Sequence, residues 1–156
     1  MFSWWTANSL TKISYYFSED TFNRKQYVYR EGDKTNRIYF CTAGEFRLTR
    51  KFVDNRNSSK KKLAAFFSPR PVVKHIEADI LSIGPGEVFG EVEINELPER
   101  ITSCVAMSND AAAISIPLAD WTRRIHNRRS KEYFKKEAPI RLQYIEDRIE
   151  ELATFY

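Results

Sequence analysis

Between positions 89 and 100 the chain reads Phe-Gly-Glu-Val-Glu-Ile-Asn-Glu-Leu-Pro-Glu-Arg. Four carboxylates, Glu91, Glu93, Glu96 and Glu99, follow a Phe89-Gly90 turn, and one cation, Arg100, closes the run. Glycine lets a backbone approach a partner closely. Arginine presents a planar fork that fits a carboxylate or a phosphate with two hydrogen bonds. The run is therefore either a loop crossed by an ion pair between Glu91 and Arg100, or the wall of a pocket.

Other chemistry is sparse. His75 and His126 are the only histidines, far apart and in unlike contexts. No His, Cys and Asp residues fall at metal-ligand spacing. No nucleophile elbow, phosphate-cradling glycine loop with a lysine, or dinucleotide fingerprint is present. Catalysis needs a positioned nucleophile or general base, and the sequence offers neither. A non-catalytic domain without metal or cofactor is expected.

The elements that position the 89–100 run can be read from the apolar pattern. Leu10, Ile13 and Phe17 sit at helical spacing and predict a helix over the first seventeen residues, ended or restarted at Ser18-Glu19-Asp20. From Gln26 the period shortens. Tyr27–Tyr29, Ile38–Thr42, Phe46–Thr49, Ile80–Ile83, Val88-Phe89, Thr102–Ala106 and Ala112–Ile116 read as short strands. Glycine turns punctuate them at Glu31-Gly32-Asp33, Ala43-Gly44-Glu45 and Gly84-Pro85-Gly86. Leu118–Trp121 opens a helix running to about Asn127. A last helix follows, broken or kinked near Pro139, with an apolar stripe at Leu142, Ile145, Ile149 and Leu152. Short strands spaced this way predict an antiparallel roll or jelly roll between flanking helices.

A chain of 156 residues that is 42% hydrophobic is long and apolar enough for one packed domain. No apolar run spans a bilayer and no cleavable signal is visible. Cys41 and Cys104 lie in strands and read as buried, reduced thiols, so a cytoplasmic protein is expected. The net charge of +4 is local. Seven cations between Lys51 and Lys74 face one acid, Asp54, which leaves the rest of the chain net acidic. That basic stretch reads as a solvated loop, and the apolar island Leu63–Phe67 within it is expected to dock onto the body, with a flap over a site as the alternative. Nucleic acid is not an expected partner.

The ordered set Arg30-Glu31-Gly32-Asp33, Tyr39-Phe40, Gly44-Glu45, Gly84-Pro85-Gly86 and Phe89-Gly90-Glu91, with Arg100 nine residues past Glu91, resembles the cyclic-nucleotide-binding domains of nucleotide-dependent kinases, gated channels and CRP-type regulators. The resemblance runs from Gln26 to about Arg124. It implies a mainly β fold, an eight-stranded antiparallel β-roll with an N-terminal helix and two C-terminal helices. The chain would divide into an N-terminal helical segment at 1–22, a roll at 23–117 with an inserted basic loop at about 52–79, and C-terminal helices at 118–156. Phe89 to Arg100 would be the phosphate-binding cassette, a turn plus short helix. Phe89, Gly90, Glu91, Glu93, Arg100, Ile101 and Ser103 would then be the ligand-binding residues. Glu91 would hold a ribose hydroxyl and Arg100 the cyclic phosphate of cAMP or cGMP, with main-chain N–H groups near Gly90, Glu93 and Ile101 completing the anion site. The helices from Trp121 onward would close over the base, with Tyr144 as a candidate cap. On this reading Arg100→Ala loses the ligand and spares the fold.

The departures bear on the same residues. Glu93 replaces a small residue beside the phosphate; pointing inward at about 4 Å it would cost roughly 4 kcal/mol, about a thousandfold in affinity. It could equally pair with Arg100. Glu96 and Glu99 add negative field. Ile101 and Thr102 replace small residues, Ser103 keeps a hydroxyl, and Lys25 stands where a glycine is common. Three readings stay open. Glu93 faces solvent and the domain binds cAMP or cGMP, a reading placed first because Glu91 and Arg100 are both retained. Alternatively Glu93 pairs with Arg100, and the pocket takes a nucleoside or nothing. Lastly, the domain is a protein-interaction module using its basic loop, its Trp4-Trp5 end or its last helix.

Overall fold

Apolar and polar residues alternate along Phe46-Arg47-Leu48, and Phe46 and Leu48 are buried while Arg47 is half-exposed. That period of two builds most of the molecule. The computed structural model describes residues 6–54, 74–94, 97–124 and 128–156. Within them lie eight strands: β1 (Ser18–Phe22), β2 (Tyr27–Tyr29), β3 (Arg37–Ala43), β4 (Phe46–Val53), β5 (His75–Ile83), β6 (Val88–Phe89), β7 (Ser103–Ala106) and β8 (Ala111–Pro117). Helix α1 (Ala7–Ser14) precedes them, and α2 (Leu118–Arg124) and α3 (Arg128–Phe155) follow. The strands form two antiparallel four-stranded sheets, ordered β1-β8-β3-β6 and β2-β7-β4-β5. This is the expected roll.

Two apolar clusters follow from the central position of β3. One face of β3 turns Tyr39 and Cys41 into the roll, where they meet Tyr29, Phe46, Leu48, Ile83, Phe89 and Cys104. The other turns Ile38 and Phe40 outward, beneath Ile13 of α1, Trp121 of α2 and Phe134 of α3. Rings occupy much of the interior: Phe89 stacks on Tyr39 at 5.2 Å and lies 5.1 Å from Phe46. Both cysteines are free and buried, and burial pushes both thiols up from their ordinary range.

Strands β5 and β6 are the edges that leave the roll open on one side. Helix α3 covers it. Leu142 and Ile145 of its stripe join the inner cluster, with Ile149 and Leu152 partly buried beside it. Each fully buried side chain of this kind contributes roughly 1.5–3 kcal/mol. At the far end Tyr156 stacks on Phe52 of β4 at 5.7 Å.

Three sequence expectations change. Ser18–Phe22 is not the tail of a helix but an edge strand, satisfied by pairing with β8. The inserted loop is shorter than 52–79, because β4 continues to Val53 and β5 starts at His75, paired residue for residue. Thr49 and Tyr27 hydroxyls both donate to Glu77 there, at 2.6 and 2.9 Å. Helix α3 runs unbroken through Pro139. Proline costs a helix one hydrogen bond, and Ala138, Leu142 and Ile145 are buried on either side of it. The cassette's expected turn is present at 92–94, and positions 95 and 96, where its short helix would continue, lie outside the described residues. Trp4, Trp5, the Leu63–Phe67 island and His126 lie outside the described residues.

Candidate functional site

Two chain segments hold Arg100 in place. The Arg30–Asp33 turn is closed by the Asp33 carboxylate, which accepts from Arg30 N–H at 2.7 Å. It then brackets the backbone of Arg100: Gly32 N–H donates to Arg100 O at 2.9 Å and Arg100 N–H to Asp33 O at 2.8 Å. Ser103, expected at the ligand, instead accepts from Glu31 N–H at 3.0 Å and fixes the same turn. On the other side Gly90 adopts φ +71°, and a β-carbon there would lie 3.0 Å from Arg100 Nη1. The close approach that this glycine permits is to Arg100.

Arg100 is 2% exposed. Its Nη1 donates to Gly90 O at 2.6 Å and to Glu93 Oε2 at 3.0 Å. Its Nη2 donates to Arg37 O at 2.6 Å. The guanidinium lies 4.4 Å from the centroid of the Tyr29 ring, a cation–π distance. Its Nε has no hydrogen-bond partner among the described residues. Glu93 is fully buried, and its second oxygen accepts from Ile101 N–H at 3.4 Å. Arg100 and the Ile101 amide are the donors that the resemblance assigns to a phosphate. Here they hold a carboxylate of the same chain. The placement of Glu93 toward solvent, which the first sequence reading required, is not the arrangement found. The reason is local: Val92 enters the inner cluster, and the turn that buries it carries Glu93 inward to Arg100.

Glu91 is also buried and also taken. Arg141 of α3 donates from Nη1 to Glu91 Oε1 at 3.0 Å and to Val88 O at 2.6 Å, and its Nη2 lies 3.7 Å from Glu87. Burial raises the Glu91 carboxyl above its usual range, with Arg141 pulling the other way and Glu93 adding to the rise. Tyr144, the candidate cap, is half-exposed, and Leu142 and Ile145 face the roll in its place. Phe89 is core, and Ile101 packs half-buried against the inner cluster. Sequence reasoning missed Arg141. Its signal was present: it falls three residues after Ala138 and four before Ile145, a charge placed within the apolar stripe of α3.

The seven expected site residues therefore converge at one place, but their polar groups are spent on one another, on the neighbouring turn and strand through Glu31 and Arg37, and on α3. Two carboxylate–arginine pairs, Glu93 with Arg100 and Glu91 with Arg141, tie the cassette to itself and to the last helix.

No family model matches the sequence, and no curated protein matches it. Solved structures do. The Thermus thermophilus catabolite activator protein is similar over 98% of this chain at 19% identity and TM-score 0.59, and the chain spans 55% of that protein's length. A cyclic nucleotide-binding-like protein of Brucella abortus is similar over 81% of this chain and 90% of its own, at 18% identity and TM-score 0.57. The regulatory subunit of a cAMP-independent protein kinase A from Trypanosoma brucei is similar over 87% of this chain and 46% of its own, at 15% identity and TM-score 0.56. With its sheet order and its cassette between β6 and β7, the chain has the fold of the cyclic-nucleotide-binding domains.

Proposed function

We propose that this is a non-catalytic regulatory domain whose cassette is occupied by its own side chains and has no useful affinity for cAMP or cGMP. The buried Glu93–Arg100 pair carries this reading. A cyclic phosphate would have to expel Glu93 from Arg100. Breaking a buried pair costs about 3–5 kcal/mol, roughly two to three and a half orders of magnitude in affinity. A ribose would also have to displace Arg141 from Glu91. The output element is α3, and Arg141 is the latch that holds it on the cassette. Regulation would then act through whatever releases or reinforces α3, in the cytoplasm and with a protein partner on this helix or the basic loop. The Trypanosoma brucei neighbour is the regulatory subunit of a kinase described as cAMP-independent.

One observation favours the other reading: Glu91 and Arg100 both stand at cassette positions, so a rearranged site could take a cyclic nucleotide. Titration calorimetry with cAMP, cGMP and adenosine at millimolar concentration separates the two. The expected result is no binding of any of them to the native protein, and new binding of a cyclic nucleotide in Glu93→Ala, where Arg100 is freed. Native binding tighter than about 100 μM that Arg100→Lys abolishes would overturn the proposal.

A further inference from the structure

Outside the roll, a half-open groove of about 670 Å³ runs between α3 and the edge where β6 meets β3. Clefts that bind small molecules span about 300–1,000 Å³ and combine an apolar lining with a few convergent polar groups. This groove has both. Phe40, Val88, Ile114 and Phe134 give it an apolar wall. Glu87 and Glu137 stand on its rim, and the Glu91–Arg141 pair closes one end. Three carboxylates thus face one guanidinium. Glu137 has no ion-pair partner among the described residues, and Glu87, which accepts from Gly84 N–H at 2.6 Å through one oxygen, meets Arg141 at 3.7 Å through the other, with half its side chain in solvent.

We infer that this groove is a binding site for a small organic cation with a flat apolar body, an aryl-alkyl amine in chemical class. The rings and aliphatic groups would bury the body. The ammonium would sit between Glu87 and Glu137, where three lining carboxylates outnumber the one guanidinium. An anion of the same shape is excluded by the same carboxylates. The site's charge preference is opposite to that of a phosphate-binding cassette. Its position also supplies an output: a cation beside Glu87 and Glu91 competes with Arg141 for them and so loosens α3. Only this last step rests on the reading of Arg141 as a latch; the binding site itself does not.

Three probes share one ring system and differ in charge: tryptamine is a cation, 3-methylindole is neutral and indole-3-acetate is an anion. Calorimetry on the full chain is expected to show tryptamine binding at least about tenfold more tightly than 3-methylindole, with indole-3-acetate weakest. Glu87→Gln combined with Glu137→Gln keeps the shape of the rim and is expected to erase the preference for the cation. Ala138→Trp fills the groove and is expected to abolish binding of all three. Equal affinity for the three probes, no binding of tryptamine, or a preference that survives the double glutamine variant would each overturn the inference. None of these outcomes depends on cAMP, so the fate of the cassette proposal is read separately from the cyclic-nucleotide titration.

Discussion

Replacing Arg100 with methionine removes a cation from between a carboxylate and two carbonyl oxygens. Glu93 is fully buried and Arg100 is 2% exposed, with 3.0 Å between their charged atoms. At that separation and an effective dielectric constant near 20 the attraction is about 5 kcal/mol, most of it cancelled by the cost of taking both ions out of water. The net worth of the intact pair is small, but the cost of breaking it is not. Arg100→Met leaves the Glu93 carboxylate buried without a counter-ion, and Gly90 O and Arg37 O without their donor. The expected loss is about 3–5 kcal/mol. Adding Glu93→Leu removes the stranded charge, so the double variant should recover at least about 2 kcal/mol relative to the sum of the single changes. Urea unfolding of the four proteins at pH 7 reads both quantities, provided that the slopes agree. An arginine held open for a phosphate would behave otherwise: its removal would cost the unliganded domain little. A loss below about 1 kcal/mol for Arg100→Met, or strictly additive single and double changes, would refute the buried pair and everything built on it.

Lys25 adopts φ +70° with its N–H on Ala106 O at 2.7 Å, a conformation that costs a residue with a β-carbon about 1–2 kcal/mol. Lys25→Gly is expected to raise the unfolding free energy by up to about 1 kcal/mol in the same urea assay, after the entropy of the added glycine is offset. Glu91 has a folded-state pKa above its unfolded value of 4.5, through burial, against the pull of Arg141. The protonated form is then the one the fold prefers, so its stability contribution is complete below pH 4.5 and is lost as pH rises through the higher folded value. Glu91→Gln should flatten that part of the stability profile, measured as thermal midpoints from pH 4 upward; an unchanged profile would show that Glu91 titrates normally. Arg141→Met strands the Glu91 carboxylate at the α3 contact and should cost about 2–4 kcal/mol, with faster amide exchange in α3 than in β4; uniform exchange would argue against a latch.

The roll was legible because its signals are local. The run of β-formers in β3, alternation in β4, glycines at φ-positive turns such as Gly32, Gly44 and Gly86, and the apolar stripe of α3 each follow from one or two residues of context. The convergence of Glu91, Glu93, Arg100, Ile101 and Ser103 was legible from their order. Their partners were not. Whether Glu93 turns in or out depends on the burial of Val92 and on the room that Gly90 leaves beside Arg100, neither of which has a periodic signature. Arg141 lies fifty residues from Glu91, and a basic residue bordering an apolar stripe most often reaches water. The β1 strand was read as helix because four of its five residues are exposed; only pairing with β8 makes it a strand.

The same residues that spell a nucleotide cassette also suffice to close it. Gly90 gives room to whatever guanidinium or phosphate lies against it. Arg100 accepts any oxyanion at its fork, and the Ile101 amide donates to whichever oxygen is near. A single carboxylate introduced two residues after Glu91 meets all three requirements at intramolecular concentration, without the translational entropy that a free nucleotide loses on binding. The motif therefore specifies an oxyanion beside Arg100 and not its source. A carboxylate on the chain itself is the occupant that the geometry here supplies, which makes the charge at position 93, rather than the presence of Glu91 and Arg100, the residue on which ligand dependence turns.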